Sequence, residues 1–203
     1  VESQNFTYFI GVDEVGRGPV AGPVYVCALY ISKDNLEKII KKVDKLPLRD
    51  SKKLTEKMRE KWFAKITEFA DLGLLKYVVS KASAKEIDEK GIAICIKHAV
   101  KNSVIKIGAD KEKTKVLLDG GLSVGENFNE ESFIKGDENI PVISLASIVA
   151  KVLRDKEMIN FSENYPEYHF EKHKGYGTKT HITAILKHGL TEFHRKSFLK
   201  NYI

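Results

Sequence analysis

Two adjacent acids, Asp13 and Glu14, close a short apolar run at residues 8–12. The chain then turns through Gly16-Arg17-Gly18-Pro19 and on to Gly22-Pro23. Two more acids stand in similar places. Asp119 ends Lys115-Val116-Leu117-Leu118 and precedes Gly120-Gly121, and Asp137 follows Lys135-Gly136. Each alone reads as a turn, where acids are common anyway. Together they describe three apolar segments that deliver carboxylates to one edge of a sheet. Converging carboxylates repel strongly at low dielectric, so a cation is needed to keep them ionised. Hard oxygen ligands with room for water and phosphate suit Mg²⁺, or Mn²⁺ in its place. The glycine turn beside them lets backbone approach a phosphate or a sugar. The chemistry expected is metal-assisted phosphoryl transfer.

The elements that must hold these residues follow from pattern. Residues 8–12 read as a buried strand and 24–32 as its antiparallel neighbour across a tight turn. A short helix is expected over 35–43, and 48–54 reads as a loop. Thr55 caps a helix whose Met58, Trp62, Phe63, Ile66 and Phe69 form a core stripe, which assigns Trp62 to packing. A strand covers 74–80. Ser83-Ala84-Lys85-Glu86 is a capping box that opens one long helix to about residue 106. Residues 115–119 form a strand and 133–137 a strand tip. A helix over 144–164 turns Leu145, Ile148, Val149 and Val152 inward, with Ser147, Lys151 and Asp155 on another face beside Arg154. Thr178 caps a further helix that Gly189 stops. The pattern predicts an α/β fold, a mixed central sheet flanked by helices with a helical C-terminal extension. It divides the chain into a catalytic domain (1–164) and a basic extension packed on it (165–203).

Composition narrows the setting. The chain has 203 residues, enough for one domain with a substantial core, and a net charge of +6 that favours polyanionic partners. Residues 165–203 hold seven Lys/Arg against three Asp/Glu and five of the six histidines, so this region is a candidate nucleic-acid surface. Cys27 and Cys95 lack metal or redox spacing and sit in apolar surroundings, as buried free thiols do. No secretory signal precedes residue 8 and no apolar run reaches membrane-spanning length, so a cytoplasmic protein with no membrane partner is expected. Neither Gly-x-x-x-x-Gly-Lys-Ser/Thr nor Gly-x-Gly-x-x-Gly occurs, which argues against a nucleotide cofactor. His169 and His173 lack the partners of a zinc site, and a basic loop is expected there. Nothing requires more than a monomer.

The run Gly11-Val12-Asp13-Glu14-Val15-Gly16-Arg17-Gly18-Pro19-Val20-Ala21-Gly22-Pro23 resembles the signature of the ribonuclease HII family. The likeness continues through Asp50-Ser51-Lys52-Lys53-Leu54, Leu118-Asp119-Gly120, Lys135-Gly136-Asp137 and Ala146-Ser147-Ile148-Val149-Ala150-Lys151. It extends to Arg154-Asp155, His173-Lys174-Gly175-Tyr176-Gly177-Thr178 and His194-Arg195-Lys196-Ser197-Phe198. Related type HIII enzymes carry Thr where this chain has Arg17. The sequence departs from the family pattern at Gly121 and at Ser144, neither of them an inferred ligand.

The resemblance implies a ribonuclease H-like fold. It implies an endonuclease that cuts the RNA strand of RNA–DNA hybrids and cuts 5′ of single ribonucleotides in duplex DNA, leaving 3′-hydroxyl and 5′-phosphate ends. It makes Asp13, Glu14, Asp119 and Asp137 the catalytic metal ligands. It also assigns Gly16, Arg17, Gly18 and Tyr176 to the ribose 2′-hydroxyl, the group that separates RNA from DNA. Lys52, Lys53, Lys151, Arg154, Lys172 and Lys174 are the expected phosphate contacts, which add salt dependence rather than base specificity.

Overall fold

The computed structural model describes residues 6–42, 54–125 and 127–202. Lys52 and Lys53 therefore lie outside the described residues. Five strands form one mixed sheet: β1 (Tyr8–Val15), β2 (Val24–Ser32), β3 (Leu75–Ala82), β4 (Thr114–Asp119) and β5 (Asn129–Phe133), in the order β3-β2-β1-β4-β5. The β1–β2 and β2–β3 pairs are antiparallel, and β4 runs parallel to both β1 and β5. The helices are α1 (Lys33–Lys42), α2 (Glu56–Asp71), α3 (Ala84–Lys90), α4 (Ile92–Ile107), α5 (Gly136–Asn139) and α6 (Pro141–Asn164). The last three are α7 (Phe170–His173), α8 (Lys179–His188) and α9 (Lys196–Leu199).

Alternation along the central strands decides what covers each face. On one face Leu29 and Ile31 of β2 pack with Trp62, Ile66 and Phe69 of α2 and with Ile143, Leu145 and Val149 of α6. On the other, Ile10 and Val12 of β1 pack with Cys95, Ala99 and Val100 of α4. Cys27 and Cys95 are buried free thiols. Gly11 of β1 lies directly against the start of α6. A Cβ there would lie 2.3 Å from the Val142 carbonyl oxygen, so only glycine lets the helix lie this close to the strand.

Three expectations change. The first strand runs on to Val15, so Asp13 and Glu14 are strand residues, not turn residues. Their ladder to Cys27 and Val26 of β2 holds them in extended geometry. The helix foreseen over 83–106 is two helices, α3 and α4, broken at Gly91 with φ +83°. The capping box at Ser83 and Glu86 is present, but it opens only the first of them. The strand tip over 133–137 ends at Phe133. Lys135 then takes a left-handed conformation and Asp137 falls in the one-turn helix α5.

The segment after α6 folds back onto the loop between β1 and β2. The Val20 and Ala21 N–H groups donate to the Gly175 carbonyl, Gly22 N–H to Phe193, and Arg195 N–H to Val20. A small apolar cluster of Val20, Ala21, Met158, Phe170, Ile185 and Leu199 lies between them.

Candidate active site

The parallel β1–β4 register ends at Val12 opposite Leu118, so Asp13 and Asp119 are the next residues at the same end of two adjacent strands. Asp119 draws in the fourth acid through its backbone: Asp119 Oδ1 accepts N–H bonds from Gly136 at 2.6 Å and Asp137 at 3.4 Å. Asp137 is wholly buried, and its carbonyl accepts a bond from the Ser144 hydroxyl at 2.7 Å, which fixes α5 against the start of α6. The four acids thus arrive from β1, β4 and α5.

Their electrostatics report the crowding. Burial pushes the Asp13 carboxyl up to about 8. Glu14, Asp119 and Asp137 each add to that, while a hydrogen bond from Ser147 opposes it. Burial also raises Glu14, with Asp119 adding and Arg17 opposing. Glu14 Oε1 meets Arg17 Nη1 at 3.3 Å, while Glu14 Oε2 is buried with no hydrogen-bond partner among the described residues. Such a donor set suits a hard divalent cation, which would supply the missing positive charge. Among the described residues no three His, Cys, Asp or Glu side chains are gathered closely enough to hold an ion unaided. A cation here would complete its shell with water or substrate oxygens, as Mg²⁺ habitually does.

Beside the acids lies a cavity of about 240 Å³ whose lining includes Asp13, Glu14, Arg59, Ser147, Lys151 and Tyr176. Tyr176 is half exposed on its rim, and a Cβ at Gly18 would lie 3.8 Å from the ring edge of Tyr176. The acids, Gly18 and Tyr176 therefore share one neighbourhood. Gly16 is required by its backbone. Its φ is +90°, and a Cβ would come within 2.2 Å of Arg154 Nε.

The cations divide. Lys151 reaches the cavity, but its ammonium pairs with Asp155 at 2.7 Å, and burial lowers its pKa. Lys174 is half buried and its ammonium donates to the Glu171 carbonyl, whereas Lys172 is exposed. Arg154 corrects its expectation as a phosphate contact. It is wholly buried and donates to the carbonyls of Pro23, Ala21 and Lys174, so it braces the fold instead of facing solvent. The histidines correct theirs too. His173, His181 and His194 are buried, with His181 Nε2 3.1 Å from His194 Nε2. Sequence reasoning did not single out Arg59 or Arg195. Arg59 sits on the polar side of an amphipathic helix, where nothing local separates a cavity wall from a solvated surface.

Comparison with known proteins agrees with this architecture. The family model described as Ribonuclease HII matches residues 10–201. The chain is 44% identical to a Ribonuclease HII of Clostridium perfringens (strain SM101 / Type A) over 98% of its length and 69% of the relative's. It is 42% identical to one from Caldicellulosiruptor bescii over 99% and 91% of the two chains. The crystal structure of the ribonuclease H2 from Pyrococcus horikoshii OT3 superposes with a TM-score of 0.72 at 24% identity, covering 96% of both chains. Bst-RNase HIII in complex with Mn²⁺ superposes at 0.68 and 17% identity, covering 96% of this chain and 68% of that one. The family model over residues 10–201 and the likeness to these relatives over nearly the whole of this chain make it a member of the ribonuclease HII family of metal-dependent endoribonucleases.

Proposed function

We propose that this enzyme cuts on the 5′ side of single ribonucleotides embedded in duplex DNA. It also hydrolyses the RNA strand of RNA–DNA hybrids, and it leaves 3′-hydroxyl and 5′-phosphate ends. The observation that carries this reading is the coupling of Asp13 to three other carboxylates beside a cavity that Tyr176 also lines. Asp13, Glu14, Asp119 and Asp137 would hold Mg²⁺ or Mn²⁺. When bound, the ion supplies Lewis-acid stabilisation of the charge that develops on the phosphoryl oxygens.

The chain's own groups do the rest. The hydrogen bond from Ser147 steadies the Asp13 carboxylate, and Asp119 keeps its orientation through the Gly136 and Asp137 amides. Gly18, with no side chain, leaves the backbone of Gly16-Arg17-Gly18 open beside the Tyr176 ring, which would close the opposite side of the ribose. Lys151, Lys174, Lys52 and Lys53 are assigned to phosphate contacts, Lys151 from the wall of the cavity. All four acids, the loop and Tyr176 belong to one chain, so a monomer is sufficient. Residues 165–203 serve as an extension that completes the catalytic unit 1–164, and the setting is the cytoplasm.

The test is cleavage of a DNA duplex holding one ribonucleotide, with Mg²⁺, with Mn²⁺ and with EDTA, beside Asp119→Asn. The expected result is a cut 5′ of the ribonucleotide, abolished by EDTA. In the variant the rate should fall at least about a hundredfold, equivalent to roughly 2.7 kcal/mol of transition-state stabilisation. Metal-dependent cleavage of a long hybrid with no cut at the single ribonucleotide would retain the nuclease and discard junction recognition. Tight binding without any cleavage would leave a binding module.

A further inference from the structure

Two of the largest wholly buried side chains are arginines, Arg154 and Arg195. A buried guanidinium is costly unless its donors are engaged. Arg195 engages them on backbone carbonyls. Its Nε donates to Gly22 at 2.9 Å, Nη1 to Arg17 at 3.2 Å and Nη2 to Gly16 at 2.7 Å. Arg154 does the same on the other flank, donating to Pro23 at 2.9 Å, Ala21 at 3.2 Å and Lys174 at 2.9 Å. Two cations, far apart in sequence, thus fasten both sides of the loop.

Peptide geometry gives this clamp a direction. Every described peptide bond is trans. In a planar trans peptide the carbonyl of one residue and the N–H of the next point opposite ways. Holding the Gly16 and Arg17 carbonyls inward therefore turns the N–H groups of Arg17 and Gly18 outward. Arg17 and Gly18 are both exposed, and neither N–H has an acceptor within the chain among the described residues. Gly18 lies beside the Tyr176 ring, which brings this pair of donors into the neighbourhood of Tyr176.

We infer that Arg195 is a positioning residue for ribose discrimination: its guanidinium holds two carbonyls inward so that the adjacent Arg17 and Gly18 N–H groups face the ribose 2′-hydroxyl. The inference rests on the reading of that loop as the ribose contact given above. It requires the planar fork of arginine. A lysine keeps the charge, but its single ammonium nitrogen cannot reproduce three fixed donor directions.

The test compares wild type with Arg195→Lys for binding to two duplexes of one sequence, one holding a single ribonucleotide and the other all DNA. Ca²⁺ replaces Mg²⁺ so that the strand is not cut, and thermal melting is followed alongside. Wild type is expected to prefer the ribonucleotide duplex. The variant should lose about tenfold of that preference while its all-DNA affinity stays within about twofold. An unchanged preference, or equal weakening on both duplexes, overturns the role of Arg195. No preference in wild type defeats the ribose reading itself and the inference with it. Should Arg195→Lys fail to fold, amide exchange of Arg17 and Gly18 in wild type decides the matter. Fast exchange in the free protein, slowed more by the ribonucleotide duplex than by DNA, supports the inference. Slow exchange in the free protein, or equal protection by both duplexes, overturns it.

Discussion

Gly16 and Gly18 are two residues apart and are glycine for different reasons. At Gly16 the backbone is left-handed and a side chain would strike Arg154, whereas at Gly18 a Cβ meets nothing closer than 3.8 Å. Gly16→Ala should therefore lower the melting temperature, costing about 2–4 kcal/mol from strained φ and overpacking together. Gly18→Ala should melt like wild type but lose roughly tenfold in kcat/KM, because the added methyl stands between the loop and its substrate. Equal melting of both variants would refute this division. Asp13, Glu14 and Asp119 stand out at this scale because they close apolar runs, whereas Asp137 is carried by the one-turn helix α5. Arg154 does not stand out. It shares a helix with Lys151 and Asp155, and only the distant carbonyls of Pro23, Ala21 and Lys174 make it an internal brace. Arg195 was equally hidden, since its partners lie more than 170 residues away.

Among the elements, α6 and β1 depend on each other most closely. Ser147 on the helix bonds Asp13 on the strand, and Gly11 sets the distance between the two. Gly11→Ala must push a backbone carbonyl aside, since the Cβ would meet Val142 O at 2.3 Å. Overpacking of this kind costs about 1–3 kcal/mol and occasionally more. The variant should melt earlier and also lose activity measured well below its melting point, because Ser147 no longer reaches Asp13. Full activity at low temperature would show that the helix relaxes without moving the site. Periodicity found α2 and α8 with their caps, since Thr55 and Thr178 both accept the expected amide bonds. It carried the helix over 83–106 straight through Gly91, because apolar spacing continues on both sides of a residue whose left-handed φ ends the turn. It stopped the first strand at Val12 because acids resemble turn residues. The β2 ladder, a partner supplied by the fold, keeps them extended.

At the scale of the molecule, the histidine-rich C-terminal region is more interior than its composition suggests. Burial, with the nearby His173 adding to it, lowers His181 and His194 to about 4 each. Unfolded histidine titrates near 6.5. Between about pH 6.5 and 4 the unfolded chain binds protons that the folded one refuses, so stability is level above that window and falls as pH drops through it. The buried acids work in the opposite sense, since Asp13 is raised. The histidine share is therefore read by difference. His194→Asn should give a shallower loss of melting temperature between pH 7 and 5 than wild type, and parallel curves would refute the assignment. Net charge and composition were visible in the sequence. That three of these rings lie inside was not, because burial there comes from the segment folding over residues 20–22.

No helix among the described residues is long and apolar enough to cross a membrane. Inside the molecule, the loop after β1 receives hydrogen bonds from, or gives them to, Gly175, Phe193 and Arg195, near the opposite end of the chain. The order of synthesis gives this closure a meaning. The carbonyls of Arg17 and Gly16, just after Asp13 and Glu14, leave the ribosome 178 and 179 residues before Arg195 and have no guanidinium to hold them until it has emerged. A nascent chain thus carries its acids long before the loop beside them is set.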